Sequence, residues 1–151
     1  MKHFFRVIGI TARKDGDGFL VVGAIYKGNE KLDGVTAERG AQPITNLVTK
    51  MLKGSKHLGQ IRLILLDKDL PELVSAKDLW EQTGKPVLMP LSEAEFDPRY
   101  MLEYNGETFL VIGIDEESAR RVLDKIYGES GCEALRISGI ILRSIPMLHN
   151  V

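Results

Sequence analysis

The chain has 151 residues, of which 44% are hydrophobic and 27% are charged; it can bury one core and has no length to spare for a second independent domain. Its 20 Lys and Arg residues against 21 Asp and Glu residues leave a formal net charge of -1, which excludes a global attraction to nucleic acids or membranes. Cys132 is the only cysteine, which excludes an intramolecular disulfide and favours a reducing compartment. We therefore expect one soluble, cytoplasmic domain over residues 1–151, because no apolar run reaches the roughly 20 residues of a membrane span.

The first third of the chain predicts a three-strand antiparallel meander. The strands are expected at residues 4–10, 19–26 and 31–37, with turn-forming residues at 14–18 and 27–30 between them. The second strand is continuously apolar, which is typical of burial under helices on both faces of a sheet. The third strand is shorter and more polar, which indicates an edge.

The rest of the chain alternates between helical and strand patterns, which predicts an α/β fold. Helices are expected at residues 44–52, 76–82, 115–127 and 133–144, and strands at 60–67, 86–90 and 107–113. A strand that follows a helix implies a crossover to a parallel neighbour, so the sheet should be mixed. Residues 91–104 give no clear pattern. The last helix is expected to pack on the sheet through Leu135, Ile137, Ile140 and Ile141.

Asp67 ends the strongest predicted strand. Open α/β sheets collect ligands at the carboxyl ends of their strands, and a carboxylate there could bind Mg²⁺ or Mn²⁺. A turn or helix-capping role explains Asp67 equally well, since Lys68, Asp69, Leu70 and Pro71 follow it. No phosphate-binding glycine motif and no zinc-ligand spacing accompanies it.

A basic cluster surrounds the end of the first predicted helix and the start of the next strand. It consists of Lys50, Lys53, Lys56, His57 and Arg62. These side chains could contact phosphates. Basic residues at a helix carboxyl end also complement the helix dipole, and most such runs are solvated surfaces, so this simpler explanation is favoured.

Several segments together resemble an archaeal family that is related to endonuclease V and is named endonuclease dU for its characterised activity. They are residues 6–10, 32–35, 55–67, 83–87 and 133–140. The run from Ser55 to Asp67 is the specific part, and the likeness covers most of the chain.

The resemblance implies an RNase H-like fold with helices on both faces, in which the ends of the first and fourth strands present carboxylates to a metal. It implies a DNA-repair endonuclease that hydrolyses phosphodiester bonds with Mg²⁺ or Mn²⁺. Asp67 would be the catalytic carboxylate and a metal ligand, and Glu38 of the third strand would be a second metal ligand.

The sequence departs from the family where the chemistry is expected. Thr11 and Ala12 stand in place of two aspartates, and Gly139 stands in place of a histidine in the last helix. A neutral hydroxyl is a poor substitute for a carboxylate ligand. The glycine-rich loop after the fourth-strand acid is missing, and residues 91–104 are shorter than in the family.

Three hypotheses follow from these departures. The preferred one is a divergent relative that has lost or weakened its nuclease activity and binds DNA or RNA. Its candidate contacts are Lys56, His57, Arg62 and Arg136. The second is an active endonuclease in which Glu38, Asp69 or Asp15 joins Asp67. The third is a non-enzymatic module, a homo-oligomer that associates through its sheet edge or an apolar surface.

Overall fold

The structure is a computed structural model that describes residues 5–91, 98–129 and 131–146. Nine strands and four helices are formed by these residues. In chain order they are β1 (Arg6–Asp15), β2 (Gly18–Lys27), β3 (Lys31–Gly40), α1 (Ile44–Lys53), β4 (Ile61–Leu66), α2 (Ala76–Thr83), β5 (Val87–Leu91), β6 (Met101–Tyr104), β7 (Glu107–Ile112), α3 (Glu116–Ile126), β8 (Tyr127–Gly128), β9 (Gly131–Cys132) and α4 (Glu133–Ser144). None of the helices is long and apolar enough to cross a membrane.

Seven strands form one mixed sheet in the order β3-β2-β1-β4-β5-β7-β6. Strand β1 is parallel to β4, and β4 is parallel to β5, whereas the remaining neighbours are antiparallel. The predicted meander, the crossover and the mixed sheet are therefore confirmed. Strand β3 forms an edge of this sheet, as its polar sequence indicates.

Helices cover both faces of the sheet, as expected from the apolar second strand. Ile8 and Ile10 of β1 belong to the apolar cluster under α1 and α2, which we call the first face. Val7 belongs to the cluster that includes α3 and the start of α4, which we call the second face. Because side chains alternate along a strand, Gly9, Thr11 and Arg13 also point to the second face.

Helix α1 forms where the apolar spacing predicts it. All five apolar residues of the predicted stripe are buried: Ile44, Leu47, Val48, Met51 and Leu52. The helix ends at Gly54, and the Glu72 carboxylate accepts a hydrogen bond of 2.9 Å from the Ile44 N–H at its start. The carboxylate satisfies one of the amide groups that a helix start leaves unpaired.

The bounds of α4 agree with the prediction, and Leu135, Ile137 and Ile141 pack against the core as expected, but the most buried residues are different ones. Ala134, Ser138 and Leu142 are the buried residues, whereas Ile140 is exposed. The reason is the close approach of α4 to β1. A Cβ atom on Gly9 would lie 2.5 Å from the Ala134 carbonyl carbon. Only small side chains fit between two backbones at this distance, so the small residues of α4 face inward.

Strand β6 lies in the stretch without a clear sequence pattern. It pairs with β7 through a tight turn at Asn105 and Gly106, which both have positive φ angles of 49° and 79°. Residues 92–97 lie outside the described part of the chain, and so does Phe4 of the first predicted strand. Strand β1 continues to Asp15, beyond its predicted end.

Candidate functional site

The carboxyl ends of β1 and β4 meet at Thr11 and Asp67. The parallel pairing of the two strands runs to Ile10 and Leu66, and the Asp67 N–H donates to the Ile10 carbonyl at 2.9 Å. This register places the next side chains together. The Thr11 hydroxyl donates a hydrogen bond of 3.0 Å to Oδ2 of Asp67. The expected meeting of the first and fourth strands is therefore present.

The Thr11 hydroxyl cannot replace a carboxylate at this position. The side chain of Thr11 is 4% exposed, and its one hydroxyl proton is directed at Asp67, so it adds no negative charge and uses one acceptor site of the aspartate. Hard divalent cations need several oxygen ligands. In residues 5–91, 98–129 and 131–146, no group of three or more His, Cys, Asp and Glu side chains could hold a metal ion. The residues around Asp67 therefore do not fit an all-protein site for Mg²⁺ or Mn²⁺.

Glu38 lies on the other face of the sheet from Asp67. It pairs with Val21 of β2, whose side chain is in the cluster of the first face. Directly opposed residues of an antiparallel pair share a face, and the Glu38 carboxylate accordingly lies 3.8 Å from Nζ of Lys50 on α1. The structure does not bring Glu38 and Asp67 together as the resemblance suggested.

The two other acids considered as partners do not complete a metal site with Asp67. Asp15 is buried and forms an ion pair with Arg39 of β3. It follows Thr11 by four residues, which corresponds to about 13 Å along the strand. Asp69 is exposed in the turn after β4. In the described part of the chain, neither acid joins Asp67 in a group of three or more potential metal ligands.

The candidate phosphate contacts lie at the opposite end of β4 from Asp67. Lys56 and His57 precede the strand, and Arg62 is its second residue with an exposed side chain. The five residues from Arg62 to Asp67 span about 16 Å of extended strand. The structure therefore places these three residues away from Asp67.

Arg136 is held by its own helix. Its guanidinium donates two hydrogen bonds, of 2.7 and 2.6 Å, to the carboxylate of Glu133. This contact lowers the pKa of Glu133 and raises that of Arg136, since each charge stabilises the other. A phosphate at Arg136 would have to share the guanidinium with Glu133.

Helix α4 runs along β1 beside the site. Its first turn lies against Gly9, and the Arg13 guanidinium donates to the carbonyls of Leu142 and Ile145 at its end, at 2.6 and 2.5 Å. The middle of the helix is therefore next to Thr11. Gly139, which stands where the resemblance places a histidine, offers no side chain for proton transfer.

Tyr127 is a neighbour of the site that the sequence did not indicate. Burial raises the pKa of its phenol well above the ordinary value, and electrostatic interactions with Cys132, Glu107 and Asp67 raise the pKa further. The phenol therefore stays protonated within electrostatic reach of Asp67. Its ring packs against Phe109 and Tyr104, with centroid distances of 5.9 and 6.2 Å. No local sequence pattern around residue 127 indicates this contact, because it depends on how β8 packs against the seven-stranded sheet.

Sequence comparison relates the chain to archaeal UPF0215 proteins, although no protein-family model matches it. It is 34% identical over 100 residues to the UPF0215 protein of Methanothermobacter thermautotrophicus, an alignment that covers 59% of this chain and 48% of the relative. It is 28% identical over 96 residues to that of Methanosarcina acetivorans, with 59% and 49% covered. The chain thus spans about half the length of the curated relatives it matches.

Structural comparison identifies the fold. A protein of unknown function from Archaeoglobus fulgidus superposes with a TM-score of 0.78 at 17% identity, over 93% of this chain and 97% of that one. Endonuclease V from Bacillus subtilis gives 0.63 at 9% identity, over 95% and 80%. Endonuclease V from Ciona intestinalis, solved with DNA that contains an inosine, gives 0.62 at 10% identity, over 93% and 85%. The chain is therefore similar in sequence to archaeal UPF0215 proteins over part of its length, and it has the RNase H-like fold of endonuclease V.

Proposed function

We propose that the chain is a nuclease relative whose metal-dependent cleavage is lost or greatly weakened and which binds DNA or RNA. The hydrogen bond between Thr11 and Asp67 carries this proposal. In metal-assisted hydrolysis of a phosphodiester, the metal activates water and stabilises the charge that develops on the phosphate. A site for such a metal needs converging carboxylates. Here β1 contributes only the Thr11 hydroxyl, which already donates its proton to the Asp67 carboxylate.

The acid–base part of cleavage also lacks support around Asp67. The neighbouring helix presents Gly139, and the nearby phenol of Tyr127 keeps its proton because its pKa is raised. A protonated phenol can donate a hydrogen bond but cannot serve as a general base near neutral pH. Neither residue therefore supplies a general base for cleavage beside Asp67.

Cleavage assays test the loss of activity. The protein is incubated with deoxyuridine- or deoxyinosine-containing DNA in the presence of Mg²⁺ or Mn²⁺, beside an Asp67→Asn variant. We expect no cleavage above the level of the variant. Turnover by the wild type that disappears in Asp67→Asn would show that the site is active, and the proposal would then be wrong.

Nucleic-acid binding is tested through the basic residues at the start of β4. We expect Lys56→Ala combined with Arg62→Ala to weaken binding to an unmodified oligonucleotide and to flatten its dependence on salt, because each phosphate contact releases a counterion. Fluorescence anisotropy at several salt concentrations measures both effects. Lys125→Ala, an exposed lysine on α3, is the matched control. Binding that is equal in all three proteins, or absent at low salt, contradicts this part of the proposal.

Self-association is a second candidate function, and the sheet edge favours it. Strand β3 exposes Leu32 and Val35, which are 41% and 48% accessible. An edge strand with exposed apolar residues offers unpaired backbone groups to another strand. This function would use the fold without any chemistry at Asp67.

A further inference from the structure

A cavity of ≈ 630 Å³ opens between α2 and β7 on the first face of the sheet. Leu110 and Ile112 of β7 line it from the sheet, and Trp80 lines it from α2. Leu73 and Tyr100, which are 77% and 46% exposed, lie at its mouth. Thr11 and Asp67 point to the second face, so this cavity is separate from the site described above.

The aromatic wall of the cavity is fixed in place by Gly113. Its φ of +83° is unfavourable for other residues, and a Cβ atom there would lie 2.6 to 2.9 Å from three carbons of the Trp80 ring. The indole therefore rests on the glycine backbone, which no larger residue would allow. A ring held in this way forms a preformed surface for stacking.

The lining carries no net charge. Its charged residues in the described part of the chain are Lys77 and Glu81, one turn apart on α2, with Nζ and Oε1 4.0 Å from each other. Two of the lining hydroxyls accept local hydrogen bonds: Thr45 accepts from the Ser75 N–H, and Ser75 accepts from the Asp78 N–H. Among the described residues of the lining, a charged ligand would find no opposite charge that is not already compensated.

We propose that this cavity binds a small, neutral, planar aromatic molecule. Volumes of about 300 to 1,000 Å³ are typical of small-molecule sites, and such sites are lined mainly by apolar and aromatic side chains. Trp80 and Tyr100 offer ring surfaces for stacking, while Leu73 and Ile112 exclude water from the edges. This site goes beyond the proposed function, and it does not depend on nucleic-acid binding.

Trp80 is the only tryptophan of the chain, so its fluorescence reports directly on the cavity. Benzimidazole, which is neutral and planar, is titrated while the indole is excited selectively. We expect a saturable change in emission. The double variant Leu73→Ala and Tyr100→Leu should bind about tenfold more weakly, because it removes apolar contact area worth about that factor. Ile140→Ala, at an exposed isoleucine on α4, is the matched control and should bind like the wild type.

Two further probes separate this site from a general apolar surface. Cyclohexanemethanol is similar in size but not planar, and naphthalene-2-sulfonate is planar but anionic; both should bind more weakly than benzimidazole. Leu73 and Tyr100 are both exposed, by 77% and 46%, so the double variant should fold. Circular dichroism verifies that it does. If the double variant does not fold, Tyr100→Leu alone is tested. A change that does not saturate, equal binding of cyclohexanemethanol, or unaltered binding by the variant would overturn the proposal.

Discussion

Thr11 and Asp67 decide at the scale of single residues what the site can do. Their hydrogen bond joins the strand ends where two carboxylates would be needed for a divalent cation. A carboxylate at position 11 would sit beside Asp67 in a buried place, and the repulsion between the two charges would destabilise the fold unless a cation lies between them. Restoring the acid therefore tests whether the loss of metal binding is explained by this one residue.

We predict that Thr11→Asp lowers the free energy of unfolding by about 2 to 4 kcal/mol without metal. Mn²⁺ should then recover about 2.7 kcal/mol when its concentration is 100 times its Kd. Thermal unfolding with and without Mn²⁺ measures both changes.

The adjacent residue provides the control for this prediction. Ala12 points to the apolar first face and is buried, so Ala12→Asp should be destabilised and Mn²⁺ should not rescue it. If Mn²⁺ stabilises the wild type as strongly as Thr11→Asp, then the hydroxyl at position 11 is not what prevents metal binding.

Helix α4 and strand β1 are the pair of elements whose spacing positions the site. The two backbones approach so closely at Gly9 that an added methyl group would overlap with Ala134 and Leu135. In an ordinary strand, Gly→Ala stabilises a protein because the unfolded chain loses freedom. Here the steric overlap is with backbone atoms, which cannot move aside as a flexible side chain can, and it outweighs the entropic gain.

We predict that Gly9→Ala lowers the free energy of unfolding by about 2 kcal/mol or more, as overpacking of a core does. Gly59→Ala is the control, because an added Cβ there would meet no atom within 4 Å. Its effect should stay within about 0.5 kcal/mol. Urea unfolding of both variants measures the difference, and a stabilised Gly9→Ala would show that α4 does not pack on β1 at this distance.

The elements show how far local sequence patterns reach. The apolar spacing of α1 and the run that ends at Asp67 are local signals, and both were predicted. The Asn105-Gly106 turn is also a strong hairpin signal. Strand β6 was nevertheless not predicted, because it has only four residues. The prediction for α4 was right for Leu135, Ile137 and Ile141, which pack against the core, but it missed that Ala134, Ser138 and Leu142 are the most buried, because this depends on contact with Gly9, a residue more than a hundred positions away.

The same distinction applies to the site residues. The position of Asp67 at a strand end follows from its own segment. The separation of Glu38 from Asp67 depends on the register between β2 and β3, which includes an irregularity between Ile25 and Tyr26, so the resemblance alone could not place it. The proximity of Tyr127 to Asp67 arises only when α3 and β8 pack on the sheet.

The whole molecule has one long edge strand, β3, at the opposite end of the sheet from β6. The ten residues of β3 exceed the usual strand length of about five or six. Natural sheets protect such edges with charges, bulges or short strands. The charges present on β3 include Asp33, which is engaged by Arg6 at 2.7 Å, and Glu38, which is engaged by Lys50. Leu32 and Val35 are left as the exposed apolar part of this edge.

We predict that the wild type associates into dimers as its concentration rises, and that Leu32→Lys combined with Val35→Lys shifts the equilibrium toward monomer by at least about tenfold. Two lysines on the edge add like-charge repulsion between copies and remove apolar area that the contact would bury. Sedimentation equilibrium measures the change. Leu73→Lys, at an exposed leucine outside β3, should leave the association unchanged. The prediction is wrong if the wild type stays monomeric at all concentrations or if the double variant dimerises equally well. Either result would show that the edge strand is not a self-association surface. Nucleic-acid binding would then be the better explanation of the fold.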